Sequence, residues 1–309
     1  MARSGSTLLG KELDRFENIG VTIEDNIPDG ILSGNVFPIS GKSELSEYLD
    51  KLYRDKKFLS WEIEKNQLYI ELISKGFPLK LLDVYHSIYK LYFKHTDPQI
   101  VLHKKSLYYL NIQRVREALP DAKFIHILRD PRGTYNSQKH NKDSETGKFM
   151  SRDVVAFALN YKKMTKQVER NKDAGYFHVL KYEKFIQNMD YEVERLLNFL
   201  KPSSVKKQPE TDYADKIPES QRHLHQNIHF SPMDKRIHAW RDELEHYEAL
   251  VLQRCLKRDL VEYNYPVLNK YAVEFSERIY AEWLILKFKL KNTFSAYFPL
   301  LYATLKKMR

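Results

Sequence analysis

From residue 99 onward, short apolar runs suited to buried strands alternate with stretches of helical periodicity, and this alternation limits the fold more than any other feature of the chain. Ile100 to His103 and Phe124-Ile125-His126-Ile127-Leu128 read as strands, and Gln113 to Ala118 and Gly133 to His140 read as the helices that follow them. A Ser/Asp start at Ser151 to Asp153 opens a long helix on which Val154, Ala158, Tyr161, Thr165 and Val168 share a face. Strand Phe177 to Lys181 and helix Asp190 to Leu200 come next. Strands joined through helices run parallel, and a parallel sheet needs cover on both faces. The expected class is α/β, with three layers and a mostly parallel central sheet.

The front of the chain supplies part of the same pattern. Leu9, Leu13 and Phe16 recur at helical spacing from Thr7, and Ile19 to Ile23 reads as a short strand before the acidic turn Glu24-Asp25. Residues 42–95 carry three helical patterns, Glu44 to Arg54, Phe58 to Ser74 and Pro78 to Phe93, read as an inserted helical layer that shapes an acceptor pocket. A plain core and surface explain them equally well. Lys201 to Gln221, with Pro202, Pro209 and Pro218, reads as a lid loop. One domain is expected over residues 1–265, and residues 266–309 form a basic, aromatic, helical extension. That extension suits either a membrane surface or packing on the domain, with packing the favoured reading.

The chain has 309 residues, and 51 Lys and Arg against 41 Asp and Glu leave a net charge of +10. That balance favours anionic ligands, nucleic acid or an acidic membrane, or is simply a basic surface. The single cysteine, Cys255, falls in register with Leu244, Tyr247 and Val251 on one helix face, and no Asn-x-Ser/Thr sequon occurs. A reducing compartment is expected, hence a cytoplasmic protein, peripheral at a membrane if attached at all, unless an upstream anchor has been lost. No clustered Cys/His set suggests a metal, and His223 with His225 reads as solvated loop.

Two short stretches carry the chemistry. Arg3-Ser4-Gly5-Ser6-Thr7-Leu8 puts a guanidinium, two hydroxyls and a glycine at a helix start, where unpaired amides and the positive dipole end attract an anion. It lacks the Gly-x4-Gly-Lys-Ser/Thr of a Walker A loop, and the same residues would serve as an ordinary cap and turn. The second stretch, Leu128-Arg129-Asp130-Pro131-Arg132-Gly133-Thr134-Tyr135-Asn136-Ser137, leaves the C-terminal end of a strand, where open α/β sheets bind ligands. Arg129 and Ser137 offer a phosphate seat there, and an Arg-Asp pair closing a turn explains the same residues. Together the two seats suit one ligand with two separated anionic groups.

These stretches resemble the sulfotransferases that use 3′-phosphoadenosine 5′-phosphosulfate (PAPS). Met1-Ala2-Arg3-Ser4-Gly5-Ser6-Thr7-Leu8-Leu9 is similar to that family's 5′-phosphosulfate loop, and Lys123 to Ser137 to its 3′-phosphate motif. Lys104-Lys105-Ser106, Leu119-Pro120-Asp121-Ala122-Lys123, Leu180-Lys181-Tyr182-Glu183-Lys184-Phe185 and Lys235-Arg236-Ile237-His238-Ala239-Trp240 match further segments in the family's order, so the resemblance spans residues 2 to about 265. It is nearer to the glycan and tyrosylprotein branch. It implies a P-loop-like three-layer α/β/α domain without a metal, PAPS as donor, 3′-phosphoadenosine 5′-phosphate (PAP) as product, and an unidentified acceptor. Arg3, Lys105 and the amides of Gly5 to Leu8 would hold the 5′-phosphosulfate, Arg129 and Ser137 the 3′-phosphate, with Arg236 closing over the nucleotide and Tyr182 touching it. Glu24 would be the base, with an exposed acidic turn as the competing reading, and His103 is read as a strand residue. In that family a short apolar strand precedes such a loop, so the expectation is a truncated or mis-started chain of reduced activity whose central sheet lacks a member.

Two other readings compete. A P-loop-like nucleotide kinase is disfavoured by the missing Walker lysine and Mg²⁺-binding acid. A non-enzymatic binder of nucleic acid or membrane surface is disfavoured because the cations are mixed with acids along the chain, and nucleic acid is not an expected partner.

Overall fold

A computed structural model describes residues 3–23, 37–94, 96–105, 108–143, 146–208, 235–268 and 273–297. The chain opens with α1 (Ser6–Leu13) and β1 (Ile19–Val21). It continues through α2 (Lys42–Leu52), α3 (Lys56–Leu59), α4 (Lys65–Ser74) and α5 (Leu81–Phe93) to β2 (Ile100–Leu102). After a 3₁₀ turn at Tyr108–Leu110 come α6 (Ile112–Ala118), β3 (Phe124–Leu128), α7 (Pro131–Lys139), α8 (Val154–Asn171) and β4 (Phe177–Lys181). Then follow α9 (Tyr182–Gln187), α10 (Met189–Leu200), α11 (Lys235–His238), α12 (Trp240–Glu243), α13 (His246–Cys255), α14 (Lys257–Glu262) and α15 (Phe275–Tyr297).

All described strand pairing is parallel, as an α/β fold requires. β1 runs beside β2 in the register Ile19 to Ile100, and β3 beside β4 in the register Phe124 to Phe177. Among the described residues the two pairs are not joined: β2 and β3 each lack a partner on the other edge, and both line the same cleft. An unpaired edge inside a fold leaves backbone donors and acceptors without a ladder. The strands predicted at 19–23 and 100–103 stop at Val21 and Leu102, whereas 124–128 and 177–181 keep their predicted bounds.

Three hydrophobic clusters hold these elements. Leu9, Leu13, Ile19, Val21, Ile127, Leu180, Phe185 and Leu196 pack around the strands. The helical layer has its own core, in which Leu45 and Leu49 of α2, Leu68 and Leu72 of α4 and Val84 and Ile88 of α5 are each wholly buried. Each such aliphatic contributes about 1.5–3 kcal/mol relative to exposure. The stretch from Phe58 to Ser74 is two helices instead of one, since Glu62 at φ 54 breaks the ladder between α3 and α4. The helical pattern survives the break because Trp61 and Ile63 are buried in the same layer.

The third cluster joins α8, α13 and α15 through Ala158, Tyr161, Val251, Ala281, Leu284, Ile285 and Phe288. Cys255 is buried there at the end of α13, and burial pushes its thiol up to about 12. Leu244 lies before that helix, not on it. Of the predicted lid, residues 209–221 fall outside the described residues. Its start is tied down: the Glu17 amide donates to the Lys206 carbonyl and the Gln208 amide to the Arg15 carbonyl.

Candidate active site

The turn before α1 is shaped by two left-handed residues, Arg3 at φ 65 and Gly5 at φ 102. Only Gly5 fits its position: a Cβ there would stand 2.6 Å from the Tyr182 ring. The helix begins without a side-chain cap and without an acid in its first turn. Its first amides therefore point at the cleft with the dipole's positive end behind them.

The second corner follows β3 and is built differently. Asp130 caps α7, its Oδ1 accepting from the Arg132 amide at 2.9 Å. The Asp130 carboxylate thus already occupies the Arg132 amide at the α7 N-terminus, and the Arg129 and Ser137 side chains are polar groups that this corner adds to the cleft. Arg132 is wholly buried: it binds both Asp130 oxygens, donates to the Pro266 carbonyl at 2.7 Å, and lies 3.9 Å over the Trp240 ring. Glu183 braces the turn from α9, accepting from the Asp130 amide at 2.9 Å and from the Tyr265 hydroxyl at 3.2 Å. Burial raises its carboxyl above the ordinary range, against the pull of the Asp130 amide and the nearby Arg129 charge.

The two corners meet. Arg3 donates from Nε to the Ser137 hydroxyl at 3.2 Å, and Arg129 donates to the Arg3 carbonyl at 3.0 Å. Arg129 also donates to the Arg236 carbonyl at 3.1 Å, and its guanidinium carbon sits 4.3 Å from the Tyr182 ring centre. Its Nε is buried, and among the described residues no acceptor reaches it. A buried guanidinium N–H without a partner is costly.

A cleft of about 1370 Å³ runs past these groups, lined by Arg3 to Leu9, Lys104, Lys105, Arg129, Ser137, Tyr182 and Arg236. Of the site residues expected from sequence, only Glu24 is missing, because it lies outside the described residues. Among the described residues nine Lys and Arg line the cleft against Asp97, Asp121, Asp143 and Glu243, a balance that favours an anion. Arg236 is exposed and stands 3.8 Å from Glu243, which also accepts from Asn136 at 2.6 Å.

Other lining groups are less legible in the sequence. Tyr85, His86 and Tyr89 of α5 reach the cleft from the helical layer, their only signal being a run of Tyr and His at helical spacing. His103, read from sequence as a strand residue, lies one position past β2, lines the cleft and hydrogen-bonds the Tyr108 hydroxyl. Among the described residues no group of three or more His, Cys, Asp or Glu is placed to share a metal ion.

Comparison with known proteins places this geometry. The model of a protein family described as "Sulfotransferase family" matches residues 1–204. The solved "Sulfotransferase Domain from the Curacin Biosynthetic Pathway" superposes with a TM-score of 0.52 at 13% identity, covering 86% of this chain and 96% of that one. A sulfotransferase from Mycobacterium avium, STF9, gives 0.43 at 13% identity, over 87% of this chain and 76% of that one. No curated protein matches the sequence.

Proposed function

Because the chain belongs to the sulfotransferase family, we propose that it moves a sulfuryl group from PAPS to a hydroxyl or amine of its acceptor and releases PAP. The observation that carries this reading is the junction of Arg3, Ser137 and Arg129 at the mouth of an uncapped helix, with an unpartnered N–H buried among them. When bound, PAPS supplies the sulfuryl group, and PAP leaves with the bridging oxygen and its electron pair.

The residues divide the work. The amides at the start of α1, with Lys105 and the Arg3 guanidinium, hold the phosphosulfate end. Arg3 exchanges its hydroxyl partner, Ser137, for the more strongly accepting anion. Arg129 and Ser137 hold the 3′-phosphate, the group that separates PAPS from an adenylate without it. Tyr182 packs its ring against the Arg129 guanidinium and fills the space that only Gly5 leaves. Arg236 closes the nucleotide side. Sulfuryl transfer is chiefly a matter of positioning and of stabilising the departing phosphate, which fixed cations do without reorganising. Glu24 takes the acceptor's proton as the new bond to sulfur forms.

Purified protein incubated with an acceptor-rich cell extract and sulfur-labelled PAPS is expected to label an acceptor, and PAP is expected to compete. Labelling from γ-phosphate-labelled ATP with no response to PAP would make the protein a nucleotide kinase and reject this reading.

A further inference from the structure

We infer that the outward face of α15 is a docking surface for an anionic lipid bilayer. The inward face of this helix, through Ala281, Leu284, Ile285 and Phe288, is packed into the core with α8 and α13. Its outward face should then be polar, as on an ordinary surface helix. Instead Phe275, Ile279, Trp283, Leu286 and Leu290 are 80%, 57%, 53%, 55% and 64% exposed. At about 100° per residue these five fall on one stripe less than a third of the helix circumference wide. From Phe275 to Leu290 that stripe is about 22 Å long, at roughly 1.5 Å per residue.

The charges around the stripe say what covers it. Arg278 and Lys289 run along one side and Lys287 and Lys291 along the other, with Lys287 folded 5.1 Å over the Trp283 ring. Glu282, the acid nearest the stripe, is paired with Arg254. Aromatic rings and aliphatics with cations on both flanks form the pattern of a helix lying in the interface of an anionic membrane. A second copy of the chain would set these cations against their own kind, which disfavours a symmetric helix pair. No helix among the described residues is long and apolar enough to cross a membrane, so the contact is one of lying on the surface.

The protein carries its own reporter. Of its three tryptophans, Trp61 and Trp240 are 4% and 2% exposed, so a vesicle-induced blue shift in emission reports Trp283. The full chain is floated with vesicles of phosphatidylcholine alone and of phosphatidylcholine with about 30% phosphatidylserine, a composition chosen to give a clearly negative surface. Binding and a blue shift are expected only with the anionic vesicles, weakening as salt rises. Ile279→Ser with Leu286→Ser should lower partitioning at least about tenfold. Lys287→Glu with Lys289→Glu, which removes no buried side chain, should lower it by roughly fivefold per cation removed. The same binding to both vesicle types, no binding at all, or variants that bind like the parent would overturn the proposal. So would a concentration-dependent dimer, dissolved by the serine pair, in a protein that ignores vesicles.

Discussion

Arg129→Ala tests whether one guanidinium does two jobs in the cleft. In the free protein it fixes the anion loop, through bonds to the Arg3 and Arg236 carbonyls and its stack on Tyr182. Losing that scaffold loosens the loop for any ligand, at about 1 kcal/mol, or about fivefold in Kd. Its second job is a charge-assisted bond to the 3′-phosphate, worth about 1.5–3 kcal/mol, which adds roughly 10- to 150-fold for ligands that carry this group. Calorimetric titration of parent and variant with PAP and with adenosine 5′-phosphosulfate separates the two. PAP affinity should fall at least about tenfold more than that of adenosine 5′-phosphosulfate, and the latter should fall measurably as well. Near-UV dichroism of the variant confirms that the fold is intact. Equal losses for the two ligands would reduce Arg129 to a scaffold, and an unchanged adenosine 5′-phosphosulfate affinity would deny its hold on the Arg3 turn.

Gly5→Ala drives a Cβ into the Tyr182 ring at a left-handed φ, so PAP binding measured by titration should weaken by about tenfold, and undiminished affinity would show that the turn can relax. Asp130→Ala removes the carboxylate from wholly buried Arg132, and urea unfolding should show a loss of about 3–5 kcal/mol. Glu24→Gln should keep PAP binding and lose about 10²- to 10⁴-fold in turnover, and an unchanged rate in a single-turnover assay would reject it as the base. Burial pushes the His126 imidazole down from 6.5 to about 3, so the native state binds fewer protons than the unfolded chain between those values. Stability is therefore lost as pH falls from 6.5 towards 3, by about 3 kcal/mol at pH 4.5, and His126→Leu should flatten that limb in urea melts across pH 4.5–7.5.

The sequence made the elements legible where one physical signal acted alone. Phe124–Leu128 and Phe177–Lys181 are short runs, apolar but for His126, His178 and Lys181, and they pair in parallel over the bounds expected of them. It misread the α3–α4 break because the pattern of buried residues continues through it, while the backbone reversal at Glu62 leaves no mark in that pattern. Cleft-lining residues carried by local chemistry, such as the Arg3 turn and Arg129, stand out from their own neighbours in sequence. Those brought in by tertiary packing do not. Nothing near Arg132 in sequence announces Trp240, Gln253 and Pro266, and nothing near Tyr85 says that its side chain lines the same cleft as the Arg3 turn. Asp130 read as part of a turn and is one, and its capping bond takes up the Arg132 amide of α7.

The Arg3 turn is held to the β3 corner through Ser137 and Arg129. Both contacts use guanidinium donors on neutral acceptors, a hydroxyl and a carbonyl. An anion accepts from the same donors more strongly. Exchange therefore runs toward the ligand. The ligand then takes over from the protein the task of joining the Arg3 turn to the β3 corner, so occupancy and rigidity of the cleft should rise together.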